Sequence, residues 1–176
     1  MTTDEYLYET RETNRKRELR GGVIREPPAP YFSHQQLVLK VARVLSDHVE
    51  PRQLGQVAVA PVDVILDHDK NLVVQPDVLF VSTARLSIVR NQVWGAPDLV
   101  VEVLSLGTAD HDRGEKLQWY RQYGVRECWL VDLPKGAVVV NDFTGAFPVE
   151  RISMNVESIQ SSVLPDLRLN AYGIFL

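Results

Sequence analysis

The chain has 176 residues, 45% of them hydrophobic and 24% charged, with one cysteine and a net charge of −4. That length suits one domain with a sizeable core, and the composition excludes disorder or collagen-like structure as a description of the whole. No apolar run reaches the roughly 20 residues of a membrane span, Cys128 alone excludes an intrachain disulfide, and the acidic balance argues against broad, non-specific nucleic-acid binding.

The opening, Met1-Thr-Thr-Asp-Glu-Tyr, is acidic and lacks an apolar core, so it does not read as a secretory signal. With a lone thiol this predicts a reducing, cytoplasmic setting. Residues 3–12 are expected as a short helix capped by Thr2 or Thr3. The segment Arg11 to Arg25 holds six cations and two acids, a solvated face or a loose basic arm. Within it, Glu18 to Ile24 reads as two short strands around Gly21-Gly22, and Pro27-Pro-Ala-Pro30 is a rigid connector.

Ser33-His-Gln-Gln36 has capping-box spacing and opens the clearest helix. Leu37, Val41, Val44, Leu45 and Val49 form its apolar stripe, and Pro51 ends it. After Gly55 the apolar runs shorten: 57–59, 62–66, 73–81 and 99–104 predict strands, with a turn at Asp67-His-Asp-Lys-Asn71. The run 99–104 is apolar on both faces apart from Glu102, which places it centrally in a sheet. Asp112 to Tyr123 reads as a second helix with Asp112 as cap, Leu117 and Tyr120 inward and Gly124 at its end. Glu127 to Asp132 is a buried strand, 137–143 and 147–154 a hairpin, and 156–162 a weak strand. The fold class expected is α+β (mixed α/β): a central mixed sheet flanked by helices, with an added hairpin.

Acids inside apolar strands are the anomaly. Asp63, Asp77, Asp98 and Glu102 each lie within or against a Val/Leu-rich run, and a buried carboxylate needs a cation, a proton or several N–H donors. If the strand bearing Asp77 neighbours that of Glu102, the two acids can converge on one hard divalent ion, which prefers oxygen ligands. The plainer alternative is strand-end acids paired with Arg or Lys, or accepting backbone N–H groups. Cys128 reads as a small core residue, and Trp119, Tyr120 and Tyr123 as helix packing. No H-E-x-x-H, P-loop, G-x-S-x-G or G-x-G-x-x-G is present.

Four segments in order, Gln75-Pro-Asp-Val-Leu-Phe-Val81, Ala96-Pro-Asp-Leu-Val-Val-Glu-Val-Leu-Ser105, Asp112-Arg-Gly-Glu-Lys-Leu-Gln-Trp-Tyr120 and Gly124-Val-Arg-Glu-Cys-Trp-Leu-Val-Asp132, resemble the Uma family of restriction endonucleases, within the PD-(D/E)XK nuclease superfamily. Glu18-Leu, Ser33-His34, Ala60-Pro-Val-Asp63 and Ser162-Val-Leu-Pro165 extend the likeness over most of the chain. The resemblance implies one restriction-endonuclease-like domain over 1–176, with an extension at 1–30, a nuclease core at 33–132 and C-terminal strands and tail at 133–176. It implies Asp77 and Glu102 as metal-binding acids, with the Val103 carbonyl as a further ligand, Mg2+ as cofactor and Mn2+ as a substitute.

The superfamily lysine position is Leu104 here, and the resemblance makes Lys116 its replacement; otherwise Lys116 is a surface lysine paired with Asp112. Glu18, His34, Asp63 and Asp98 are supporting candidates. Against this, His34 also suits the surface of the helix's first turn, Asp63 a structural role, and Asp98 the end of a turn. Ser105-Leu-Gly-Thr108 replaces the family's Ser-Pro-Ser-Thr, and Asp110 and His111 replace residues that are typically basic. The implied activity is magnesium-dependent hydrolysis of phosphodiester bonds in DNA, by a homodimer and away from membranes. The second expectation is a catalytically inactive nuclease fold that binds nucleic acid or self-associates.

Overall fold

The computed structural model describes residues 1–9, 15–104 and 110–176. The expectations for Arg11, for 105–108 and for the side chains of Asp110, His111 and Asp112 fall outside what is described. In chain order the elements are α1 (Thr3–Glu9), β1 (Glu18–Arg20), β2 (Val23–Arg25), α2 (Phe32–Val49), β3 (Gly55–Val59), β4 (Val64–Asp67), β5 (Leu72–Val74), β6 (Val78–Ser82), β7 (Val93–Trp94), β8 (Leu99–Leu104), α3 (Asp110–Tyr123), β9 (Glu127–Asp132), β10 (Ala137–Asp142), β11 (Val149–Met154) and α4 (Ala171–Phe175).

The fold is mixed α+β, as expected, but it holds two sheets. One has the order β11-β10-β9-β8-β6-β3, the other β2-β1-β5-β4-β7. Six strands, rather than three or four, therefore separate α2 from α3. The run expected as one strand over 73–81 is two strands in different sheets. It breaks at Gln75-Pro76-Asp77, where Pro76 has no N–H to give to a ladder. β8 lies in the interior of the larger sheet, antiparallel to β6 and parallel to β9.

Period-two alternation along β8 divides the core. Leu99, Val101 and Val103 pack with Leu37, Val41, Leu45 and Val49 of α2 and with Trp129 and Val131. Val100 packs on the opposite face with Cys128, Tyr120 of α3 and Val64 and Val74 of the smaller sheet. The far face of that smaller sheet, Leu19, Ile65 and Val73, is closed by Tyr6 of α1. Glu102 thus shares the face that looks toward α3 and the smaller sheet.

Three local expectations are corrected. α2 begins at Phe32 after Tyr31, which makes no side-chain cap, so Ser33-His-Gln-Gln36 is not a capping box. The capping box belongs to α1: Thr2 Oγ1 accepts the Glu5 N–H, and the Glu5 carboxylate accepts the Thr2 N–H. α3 begins at Asp110, so Asp112 lies inside it rather than at its cap. The strand expected near 156–162 is, among the described residues, a single bridge between Ser158 and Asn170. The amides of Ser162 and Val163 go instead to the Glu127 carboxylate.

The close fit of β3 on β6 gives a prediction. A Cβ at Gly55 would overlap the Val81 carbonyl oxygen and crowd Phe80 and the Ser82 Cα. Two of those contacts are backbone and cannot swing away. Gly55→Ala is expected to destabilise the protein by about 3 kcal/mol or more, read as a lower midpoint in urea unfolding.

Candidate active site

β6 and β8 pair Val78 with Val101. One step further in that register places Asp77 opposite Glu102, and cross-strand partners share a face. Both are buried, at 4% and 9% exposure. Asp77 Oδ2 accepts the Val103 N–H at 2.8 Å, so the carboxylate satisfies an amide just beyond the end of the β6–β8 ladder. Val103 therefore touches the site through its amide.

The smaller sheet and α3 bring the remaining groups. Glu18, at the start of β1, accepts the Gln75 N–H at 3.1 Å and pairs with Arg20 at 2.6 Å. Lys116 Nζ lies 2.6 Å from Glu18 Oε1 and 2.9 Å from Glu102 Oε1. Tyr120, one helical turn after Lys116 and on the same face of α3, donates its hydroxyl to Glu102 at 2.5 Å. Lys16, just before β1, sets its ammonium 2.7 Å from Asp77 Oδ1. His34, in the first turn of α2, brings Nε2 to 3.4 Å from Asp77 Oδ2, while its buried Nδ1 has no partner among the described residues.

The charges hold one another in their ionised forms. Burial alone would raise the Glu18 pKa; Lys116 and Arg20 outweigh it and hold the carboxyl down at about 2. Asp77 is pushed the same way, with burial opposed by the His34 hydrogen bond and by Lys16. Burial works against the Lys116 charge, yet Glu102 and Glu18 raise its pKa above the ordinary lysine value. Tyr120 is driven up by burial and by Glu102, so its hydroxyl stays a donor.

The structure thus gathers Glu18, His34, Asp77, Glu102 and Lys116 in one cluster. Asp63 stands one hydrogen bond away: its Oδ1 accepts from Gln75 Nε2 at 2.8 Å and from the Tyr6 hydroxyl at 3.0 Å, tying α1 to the Gln75-Pro-Asp turn. Asp98 is separate. It lies about 13 Å down the strand from Glu102, accepts the Ser82 N–H at 2.8 Å, and pairs with Arg85 and Arg126. That is the turn-ending role, because the buried carboxylate finds its partners locally.

Lys16, Arg20, Gln75 and Tyr120 are the members that sequence reasoning missed. Lys16 was hidden within a basic run, and Tyr120 looked like packing. The i, i+4 spacing of Lys116 and Tyr120 was the available signal for the latter.

Two carboxylates from neighbouring strands are a donor set suited to a hard cation, which commonly takes one or two carboxylates and completes its shell with water and substrate oxygens. Among the described residues no group of three His, Cys, Asp or Glu side chains comes together as a metal cage. Asp77 already faces one cation, the Lys16 ammonium. As a donor set, two carboxylates suit Mg2+, and Asp77 and Glu102 are the residues that could hold it.

A family model described as "Uma2: Putative restriction endonuclease" matches residues 3–171. Among solved structures, the chain is similar to a putative nuclease belonging to DUF820 from Anabaena variabilis, with a TM-score of 0.85 at 19% identity, covering 99% of this chain and 97% of that one. At that identity the likeness establishes a common fold. No curated protein matches. Among the described residues no helix is long and apolar enough to cross a membrane.

Proposed function

The chain belongs to the family described as "Uma2: Putative restriction endonuclease", and from that membership we propose that it is a Mg2+-dependent endonuclease that hydrolyses phosphodiester bonds in DNA. One observation carries the proposal: two buried acids at facing positions, Asp77 just before β6 and Glu102 on β8, lie beside a lysine that bonds one of them. Mg2+, or Mn2+ in its place, would be held by Asp77 and Glu102 and would polarise a phosphate oxygen and acidify a water. Lys116, kept protonated between Glu18 and Glu102, orients the attacking water or faces the charge that develops on the phosphoryl oxygens. Its origin on α3 compensates for Leu104, since reach to the phosphate matters more than backbone origin. Tyr120 and Arg20 fix the rotamers of Glu102 and Glu18, so the lysine arrives pre-positioned.

A second reading has its own support. Lys16 and Lys116 already neutralise Asp77 and Glu102, as suits a nuclease fold that binds nucleic acid or self-associates without cutting it. Calorimetric titration of Mg2+ and Mn2+ separates the two readings. The wild type is expected to take up metal and to nick supercoiled plasmid in the same buffer, and Asp77→Ala/Glu102→Ala to do neither. Absence of metal uptake by the wild type overturns the enzymatic reading in favour of the second.

A further inference from the structure

The two lysines of the site are held differently. Lys116 has two carboxylates, Glu18 and Glu102, and its side chain is 12% exposed. Lys16 has Asp77 alone among the described residues, and its side chain is 27% exposed. It sits in an irregular stretch before β1, whose backbone is fixed next door by the Arg17 N–H donating to Gln75 Oε1 at 2.9 Å. The Lys16 side chain can therefore swing while the chain beneath it stays in place.

Asp77 offers its oxygens unequally. Oδ2 accepts the Val103 amide and lies beside His34, which leaves Oδ1 as the ligand atom for a cation. That is the oxygen under the Lys16 ammonium. Among the described residues, Glu18, Asp77 and Glu102 face Lys16, Arg20 and Lys116, and Arg20 has a further partner besides Glu18. A divalent ion added beside these cations repels whichever ammonium is nearest and least held.

We propose that Lys16 is an exchangeable counter-ion of the metal site: it occupies Asp77 Oδ1 when no divalent cation is bound, and the cation displaces it. Lys116 stays, because Glu18 continues to hold it when Glu102 turns to the metal. The inference rests on the metal reading above, and it makes the affinity of the site for metal the outcome of a competition within the chain.

The test is Mg2+ titration by calorimetry, with amine acetylation of the same samples read by peptide mass spectrometry. Lys16→Met is expected to bind Mg2+ roughly tenfold more tightly than the wild type, the scale of one partly buried ion pair broken on binding. Lys16→Arg, which keeps the charge, is expected to stay near the wild-type affinity. In the wild type, saturating Mg2+ is expected to raise Lys16 acetylation several-fold and leave the exposed Lys70 and Lys135 unchanged. Equal affinity in wild type and Lys16→Met, with constant Lys16 labelling, overturns the exchange and leaves the metal site standing. No Mg2+ uptake by either protein overturns the metal reading, and the exchange with it.

Discussion

Glu102→Gln is expected to lower metal-dependent cleavage by roughly 10³-fold or more while the protein keeps its fold. The amide can still accept the Tyr120 hydroxyl, and Lys116 keeps Glu18 as its counter-ion, so no buried charge is stranded. What disappears is one anionic oxygen ligand. Calorimetry should show weakened or lost Mg2+ binding together with the lost cleavage. Lys116→Met separates the roles: turnover should fall by roughly 10²-fold with Mg2+ affinity changed far less, because the proposed mechanism sets Lys116 against the phosphate and the attacking water rather than the cation. A Glu102→Gln protein that cuts at the parent rate would remove the proposed site.

The largest effect on stability is expected at Glu127, which sequence reasoning took only as the start of a buried strand. Its side chain is fully buried. It accepts from Trp129 Nε1 at 2.6 Å, Ser161 Oγ at 2.7 Å, the Ser162 N–H at 2.7 Å and the Val163 N–H at 3.3 Å. A carboxylate is acceptor-only, with room for about four bonds, and here four donors converge on it. Glu127→Ala leaves three N–H groups without an acceptor and opens a cavity. At about 1–3 kcal/mol for each stranded donor, partly relieved by water, a loss of about 4 kcal/mol in urea unfolding is expected. Glu127→Gln should recover only part of this, because either orientation of the amide points its NH2 at N–H donors. Ser161→Ala, which removes one hydroxyl donor and the acceptor of the Leu164 N–H, should cost about 2 kcal/mol. A Glu127→Ala protein as stable as Ser161→Ala would mean that the 161–163 segment is anchored elsewhere.

Periodicity was enough for the long elements. β8 and β9 fall on the expected residues, α2 and α3 start two residues or less from them, and β10 and β11 form the hairpin that the runs 137–143 and 147–154 predicted. The chemistry was legible where a residue type contradicted its surroundings: Asp77 and Glu102 stood out as acids in Val/Leu strands. The second sheet was not legible. Its strands β1, β2 and β5 have three residues each, too few for alternation to declare which sheet they join.

The sequence alone therefore determined the long elements, the family and the acids Asp77 and Glu102, because these depend on local pattern and on motifs a few residues long. The tertiary structure decided which charges meet. Lys16 reaches Asp77 across 61 positions of chain, and Glu18 reaches Gln75 across 57. It also decided that Asp98, only four positions from Glu102, belongs to other partners. Burial made those choices: a carboxylate taken out of water binds whatever donors the packing of two sheets and α3 delivers, and sequence separation does not enter that energy.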